Sequence, residues 1–360
     1  MKIYYYHTQD IQRIWREWHE HLFPGHLLYG ATHFRHHGID MILHRFNPTT
    51  VHWRLTLYNT WRILTCRERY DVLYGTSFRG IEIIIFLRAL GLFRHPVVIW
   101  HHQPIVKAKG WLRERIARLF YRGIDQMFFF SEKLVNDSLQ SVKARRERMH
   151  VAHWGPDLDF YDHVMHEAGE VERQGFISTG KECRDYATLI RAFNRTGAPL
   201  ELYLNHRNGS IDYDKQLEGI EIGSNINASF LHRLMPGELA QRVNLAACEV
   251  ICCLPTNYTV GLTTVAEALA MRLPILCTRN PQMPFDLERE GCGLWIENGD
   301  EQGWVEAVEY IATHPEEAHQ MGERGRQLAE RSFNLETLTR DVAEVLLTYG
   351  SSKKHFNIPQ

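Results

Sequence analysis

Short apolar or aromatic runs alternate with longer helical patterns along almost the whole chain, and that alternation limits the folds it can adopt. Ile3 to Tyr6, Met41 to Leu43, Val72 to Tyr74, Val97 to Trp100 and Met127 to Phe130 read as strands with helices between them. Strand and helix taken in turn predict a parallel sheet covered by helices on both faces. The pattern stops near Val151 to Asp157, and a polar, acidic stretch continues to about Glu172. It resumes with Phe176-Ile177-Ser178, Leu200 to Leu204, Val250 to Leu254 and Ile275 to Cys277 as strands. Tyr186 to Asn194, Pro236 to Ala247 and Thr264 to Met271 read as helices. Helical segments at Gln302 to Thr313, Pro315 to Arg331 and Leu335 to Tyr349 complete the pass.

The expected architecture is α/β, with two Rossmann-like doubly wound domains facing across a cleft. The N-terminal domain takes residues 1–155, a linker 156–172 and the C-terminal domain 173–334. A helix at 335–350 packs back on the N-terminal domain, and 351–360 forms a tail. A chain of 360 residues, 44% hydrophobic and 23% charged, is long enough for two domains that each bury a core. Open sheets of this kind bind ligands at the carboxyl ends of their strands, so function is expected in the strand-to-helix loops.

A formal net charge of -2 argues against a nucleic-acid partner bound through bulk positive charge. Seven cysteines, an odd number without Cys-x-x-Cys spacing, read as reduced core thiols, and the expected location is cytoplasmic. The start of the chain turns polar too quickly for a secretory signal, and the run Ile81 to Phe93 carries Glu82 and Arg88 and is too short to cross a bilayer. His33, His36 and His37 have helical spacing but no acidic partner, so no metal is expected there.

Asn257 to Leu276 is a loop entering a helix that runs into a strand, with Gly261 before the helix. Free N–H groups at a helix start, beside a glycine that lets a ligand come close, suit an anion. Thr264 and Glu267 equally fit a capping box, in which the carboxylate only satisfies backbone donors. The residues alone leave both readings open.

This segment resembles the signature of family 4 glycosyltransferases, the group 1 enzymes of GT-B fold. The resemblance implies that Glu267 holds the ribose hydroxyls of a nucleotide-diphosphate sugar. It also implies that Thr259, Val260, Gly261, Leu262 and Thr263 line its diphosphate and sugar. The family commonly has a second glutamate eight positions before Glu267, where this chain has Thr259. Phe176 to Ile190 resembles the first strand, glycine loop and helix of the family's C-terminal domain. Gly180 sits in that loop, and Lys181 and Arg184 are the cations that would clamp the diphosphate. Fixed cations stabilise the charge that a leaving diphosphate gains. Val97 to Pro104 resembles the strand after which a family histidine faces the donor sugar. His101 and His102 should point opposite ways, and His102 is the assignment made here. Phe23 to Gly30 is similar to the family's first loop, with Gly25 and Gly30 in place of a double glycine.

The function so implied is a retaining, metal-independent glycosyltransferase that needs no cofactor and uses a nucleotide-diphosphate sugar as donor. Its acceptor would be a glycan or a lipid-linked molecule, in the synthesis of cell-surface polysaccharide or glycolipid. Three alternatives stand beside it: a sugar-nucleotide epimerase of GT-B type, a phosphorylase-like enzyme, and a nucleotide-sugar-binding module without activity. The stretch Lys107 to Arg122 is basic on one side and apolar on the other. It either makes peripheral contact with an anionic membrane at its inner face or turns Leu112, Ile116, Leu119 and Phe120 into the core.

Overall fold

A computed structural model describes residues 1–230 and 234–351. The expected tail, Ser351 to Gln360, falls outside them apart from the backbone of Ser351. The chain divides into two compact units.

The first unit carries strands β1 (Lys2–Tyr6), β2 (Asp40–Leu43), β3 (Val72–Gly75), β4 (Val97–Trp100), β5 (Gln126–Phe129) and β6 (Met149–Val151). They form one sheet in the order β2-β1-β3-β4-β5-β6, all parallel. The direction of winding reverses between β1 and β3, so the crevice of this unit lies at their carboxyl ends. Helices α1 (Ile11–His19), α2 (His52–Leu64), α3 (Glu82–Ala89), α4 (Trp111–Arg122) and α5 (Glu132–Leu139) connect the strands. β3 and β4 are buried at every position, which is why they read as unbroken apolar runs.

The second unit opens with α6 (Leu158–Ala168), which occupies most of the stretch read above as a linker. Asp157 caps it by accepting from the Phe160 N–H, and Phe160, Tyr161 and Val164 give it a buried side. Its strands are β7 (Phe176–Ser178), β8 (Leu200–Leu204), the short pair β9 (Arg207–Asn208) and β10 (Ile211–Asp212), β11 (Ile226–Phe230), β12 (Cys248–Ile251), β13 (Ile275–Thr278) and β14 (Gly293–Ile296). Six of them make a parallel sheet in the order β11-β8-β7-β12-β13-β14, which winds outward from β7 in one direction and from β12 in the other. The helices are α7 (Tyr186–Thr196), α8 (Tyr213–Gln216), α9 (Pro236–Val243), α10 (Leu262–Ala270), α11 (Glu301–Thr313) and α12 (Pro315–Arg331). β12 begins two residues before the expected run Val250 to Leu254, because the acid Glu249 lies inside the strand, and it ends at Ile251.

The last helix, α13 (Leu335–Ser351), belongs to the first unit. Thr339 donates its hydroxyl to the Leu335 carbonyl at 2.7 Å with the Gly30 carbonyl 3.5 Å from the same oxygen, and a Cβ on Gly30 would stand 3.2 Å from the Thr339 Cα. Gly30 (φ +86°) is thus required by backbone conformation and by the close approach of α13. Among the described residues no helix is long and apolar enough to cross a membrane.

Arg326 of α12 ties three helices together. Its guanidinium donates to Asp162 of α6 at 2.6 and 2.8 Å, to Glu330 at 2.7 Å and to the Ala270 carbonyl at the end of α10 at 2.9 Å. The arginine is buried while both acids remain partly in water, which moderates their contribution. Arg326→Ala should therefore cost roughly 1–3 kcal/mol, read as a lower denaturant midpoint in equilibrium unfolding.

Candidate functional site

In the second unit the loops after β7 and β12 leave the sheet where its winding reverses. They are zipped together: the Asp185 N–H donates to the Cys252 carbonyl at 3.0 Å and the Leu254 N–H to the Cys183 carbonyl at 2.8 Å. Arg184 lies between them, 2% exposed. Its Nε donates to the Thr179 carbonyl at 3.1 Å, and Nη1 donates to the Glu182 carbonyl at 3.3 Å and the Cys253 sulfur at 2.9 Å. Nη2 donates to Thr264 Oγ1 at 3.1 Å. These four bonds leave one of the five guanidinium N–H groups over, and every acceptor is neutral. No carboxylate forms an ion pair with Arg184 among the described residues, and the adjacent Asp185 caps α7 by accepting from the N–H and hydroxyl of Thr188. A fixed, uncompensated positive charge therefore sits under the loops.

Gly180 makes room for it, and Gly261 makes room for Ile251 beside it. A Cβ on Gly180 (φ +82°) would lie 2.1 Å from Nη2 of Arg184, and one on Gly261 (φ +84°) 2.8 Å from Cγ2 of Ile251. Gly261 is the N-cap of α10 and supplies no side-chain bond, so the first N–H groups of that helix have no capping side chain. This position of the helix start overturns the capping-box reading. Thr264 and Glu267 lie within α10, and Thr264 serves Arg184 instead.

Glu267 is 8% exposed, and no hydrogen bond or ion pair engages its carboxylate among the described residues. Burial pushes its pKa up to about 8. A second acid lies close by, Glu249 of β12, fully buried. Glu249 Oε1 accepts from the Thr179 hydroxyl at 3.0 Å, and Oε2 has no partner. Burial first, and then the neighbouring Glu267 charge, hold the Glu249 carboxyl well above the usual carboxylate range. Sequence reasoning missed Glu249, although an acid inside a strand otherwise apolar was a signal for it.

Lys181 is exposed at the loop tip, where its carbonyl accepts from the Tyr213 hydroxyl at 2.7 Å. Thr259 donates to the Gln282 carbonyl at 3.2 Å and so braces the loop before Gly261. Val260 and Leu262 are buried, and Thr263 is exposed.

His102, Gly25 and Gly30 lie in the first unit. His102 follows β4, with its ring stacked on Tyr29 at 5.9 Å between centroids and 7° between planes. Burial lowers its pKa to about 4, while a bond with the Thr76 backbone after β3 works the other way. His101 has both ring nitrogens occupied, by the Gln103 carbonyl at 2.5 Å and the Tyr121 hydroxyl at 2.8 Å. Gly25 is buried in a short 3-10 turn (Gly25–Leu28).

Two Rossmann-like units, each with a six-stranded parallel sheet, are the GT-B fold of glycosyltransferases. Within this frame the chain resembles the family described as Glycosyl transferases group 1, whose sequence pattern matches residues 188–328. HepE of Anabaena, solved in complex with UDP-glucose, is 14% identical with a TM-score of 0.67, over 97% of this chain and 100% of that one. WaaG, a glycosyltransferase involved in lipopolysaccharide biosynthesis, is 15% identical with a TM-score of 0.60, over 96% and 99%. Sucrose-phosphate synthase from Thermosynechococcus elongatus is 12% identical with a TM-score of 0.69, over 98% and 100%. No curated protein matches the chain in sequence.

The raised pKa of Glu267 has a sign that can be measured. The unfolded chain releases this proton near 4.5 and the folded chain keeps it to about 8, so folding loses stability as pH rises between those values. Glu267→Gln removes that loss. Its melting temperature should match the wild type near pH 5 and exceed it increasingly toward pH 8, by the equivalent of roughly 2–4 kcal/mol.

Proposed function

We propose that the chain is a retaining glycosyltransferase that moves a sugar from a nucleotide-diphosphate sugar to a glycan or lipid-linked acceptor. The observation that carries this reading is the buried Arg184 guanidinium, without a carboxylate ion pair among the described residues, beneath two glycine loops and the start of α10. Water does not reach that charge freely, so an anion that sheds its own hydration to enter the loops meets a strong, preorganised field.

In this reading the diphosphate lies on the amides at the start of α10, with the Arg184 charge below and Lys181 reaching in from the exposed loop tip. Glu267 accepts from the ribose hydroxyls, which would give its unpartnered carboxylate two donors. As the bond from the anomeric carbon to the diphosphate breaks, charge gathers on the leaving oxygen, and the two cations stabilise it. The acceptor hydroxyl attacks from the same face and passes its proton to a donor phosphate oxygen, so configuration is retained. His102 would contact the sugar as a neutral imidazole. Cations in place of a metal, and no cofactor, complete the proposal. The UDP-glucose of HepE puts uridine nucleotides first among candidate donors.

A binding module without transfer is the second reading, favoured by Thr259, whose hydroxyl is engaged by the Gln282 carbonyl. The experiment is a thermal-shift series with UDP, GDP, ADP and their sugar conjugates, followed by turnover with candidate acceptors. One nucleotide series should raise the melting temperature, and Arg184→Gln should weaken it about 10- to 100-fold. No shift with any nucleotide would sink both readings, and binding of an intact donor without release of nucleotide to any acceptor would leave only the module.

A further inference from the structure

Helix α2 is built inside out. Thr56, Asn59, Thr60 and Ile63 face inward, where Asn59 donates to the Tyr6 hydroxyl and the Gly80 carbonyl, both at 3.0 Å. Trp53, Leu57, Trp61 and Leu64 face outward, 60%, 52%, 56% and 52% exposed. Their spacing makes one stripe along the helix. Hydrogen bonds hold the inner side, so this apolar stripe is surplus to the fold.

Neighbouring elements extend the stripe into a face. The crossovers from β2 to β3, β3 to β4 and β4 to β5 run in one direction across the sheet, so right-handed connections place α2, α3 and α4 on the same side. Leu90 and Leu92 follow α3 at 59% and 70% exposure, and α4 adds Trp111, Leu112 and Ile116 at 71%, 56% and 50%. The alternative in which Leu112 and Ile116 face the core is thereby overturned, because the inward side of α4 is taken by Glu114, held by the Lys143 ammonium at 2.7 Å. Leu119 and Phe120 are half-buried.

The charge of the face is one-sided. α2 contains no acid, and the single acid of α4 is the buried Glu114. Arg54, Arg113, Arg115 and Arg118 are exposed. Bordering acids are paired: Glu82 with His52 at 3.1 Å and Glu68 with Lys2 at 3.0 Å. Three guanidinium groups lie over indole rings, Arg54 on Trp53 at 5.3 Å, Arg62 on Trp61 at 5.7 Å and Arg115 on Trp111 at 5.8 Å. Indoles paired with cations favour a boundary between apolar and anionic surroundings.

We infer that α2 and α4 together dock the chain on an anionic lipid bilayer, with the tryptophans and leucines among the headgroups and the arginines on lipid phosphates. A second copy of this face would set arginines against arginines without an acid to pair them, which disfavours self-association. The stretch Lys107 to Arg122 is then half of the surface, and α2, which sequence reasoning passed over, is the other half.

The test is vesicle flotation of the full chain at low salt, with phosphatidylglycerol–phosphatidylcholine vesicles against phosphatidylcholine alone. The wild type should float with the anionic vesicles and much less with the neutral ones. Trp53→Ser with Trp61→Ser should weaken binding at least about tenfold at an unchanged melting temperature, since both side chains already face water. Arg54→Glu with Arg115→Glu should weaken it comparably. Failure of the wild type to bind, or undiminished binding by the tryptophan variant, would overturn the inference. So would a dimer in sedimentation velocity that the tryptophan variant dissociates. None of these readouts needs donor or acceptor, so they stand apart from the proposed activity.

Discussion

A guanidinium buried against a carboxylate is neutralised, whereas Arg184 is buried against two carbonyls, a thiol and a hydroxyl and keeps its charge. Much of the second unit follows from accommodating it. The loop after β7 must fold back so that its own carbonyls face the guanidinium, and Gly180 must lack a side chain where Nη2 passes. Thr264 must sit on the first turn of α10 and point inward, which fixes the helix start at Leu262. Glu249 feels this charge, yet its pull is too weak to offset the cost of burial, and Glu267 is raised by burial alone. The result is a site in which one cation is permanently charged and two acids are held close to neutrality.

Much of this architecture was legible in the residues, for identifiable reasons. β3 and β4 are covered on both sides, so their sequences are continuously apolar and cannot be mistaken. The glycine loops were visible because glycine at a strand-to-helix turn has few other uses. The polar stretch around residues 156–172 concealed α6, whose buried side has only Phe160, Tyr161 and Val164 among charged neighbours. Glu249 concealed the start of β12, because an acid in a strand reads as a strand end.

Burial was the property least accessible from sequence. Lys181 and Arg184 read as two equivalent loop cations, yet one is exposed and the other is 2% exposed. Thr264 and Glu267 have the spacing of a cap, and only the position of Gly261 shows that they lie inside the helix. In α2 the usual rule inverts, since tertiary hydrogen bonds to Asn59 determine which side faces the sheet.

The return of α13 to the first unit makes the second unit an insertion within it. Gly30 and the 3-10 turns beside it are synthesised more than 300 residues before Thr339, the residue that closes over them. During translation the second unit has its whole sequence available and can fold while the first still lacks a helix. Until α13 is made, the 3-10 turns at Gly25–Leu28 and Ala31–His37 stay uncovered, and their apolar side chains are open to chaperones or to neighbouring chains. Completion of that unit waits for α13 and requires closing one very long loop.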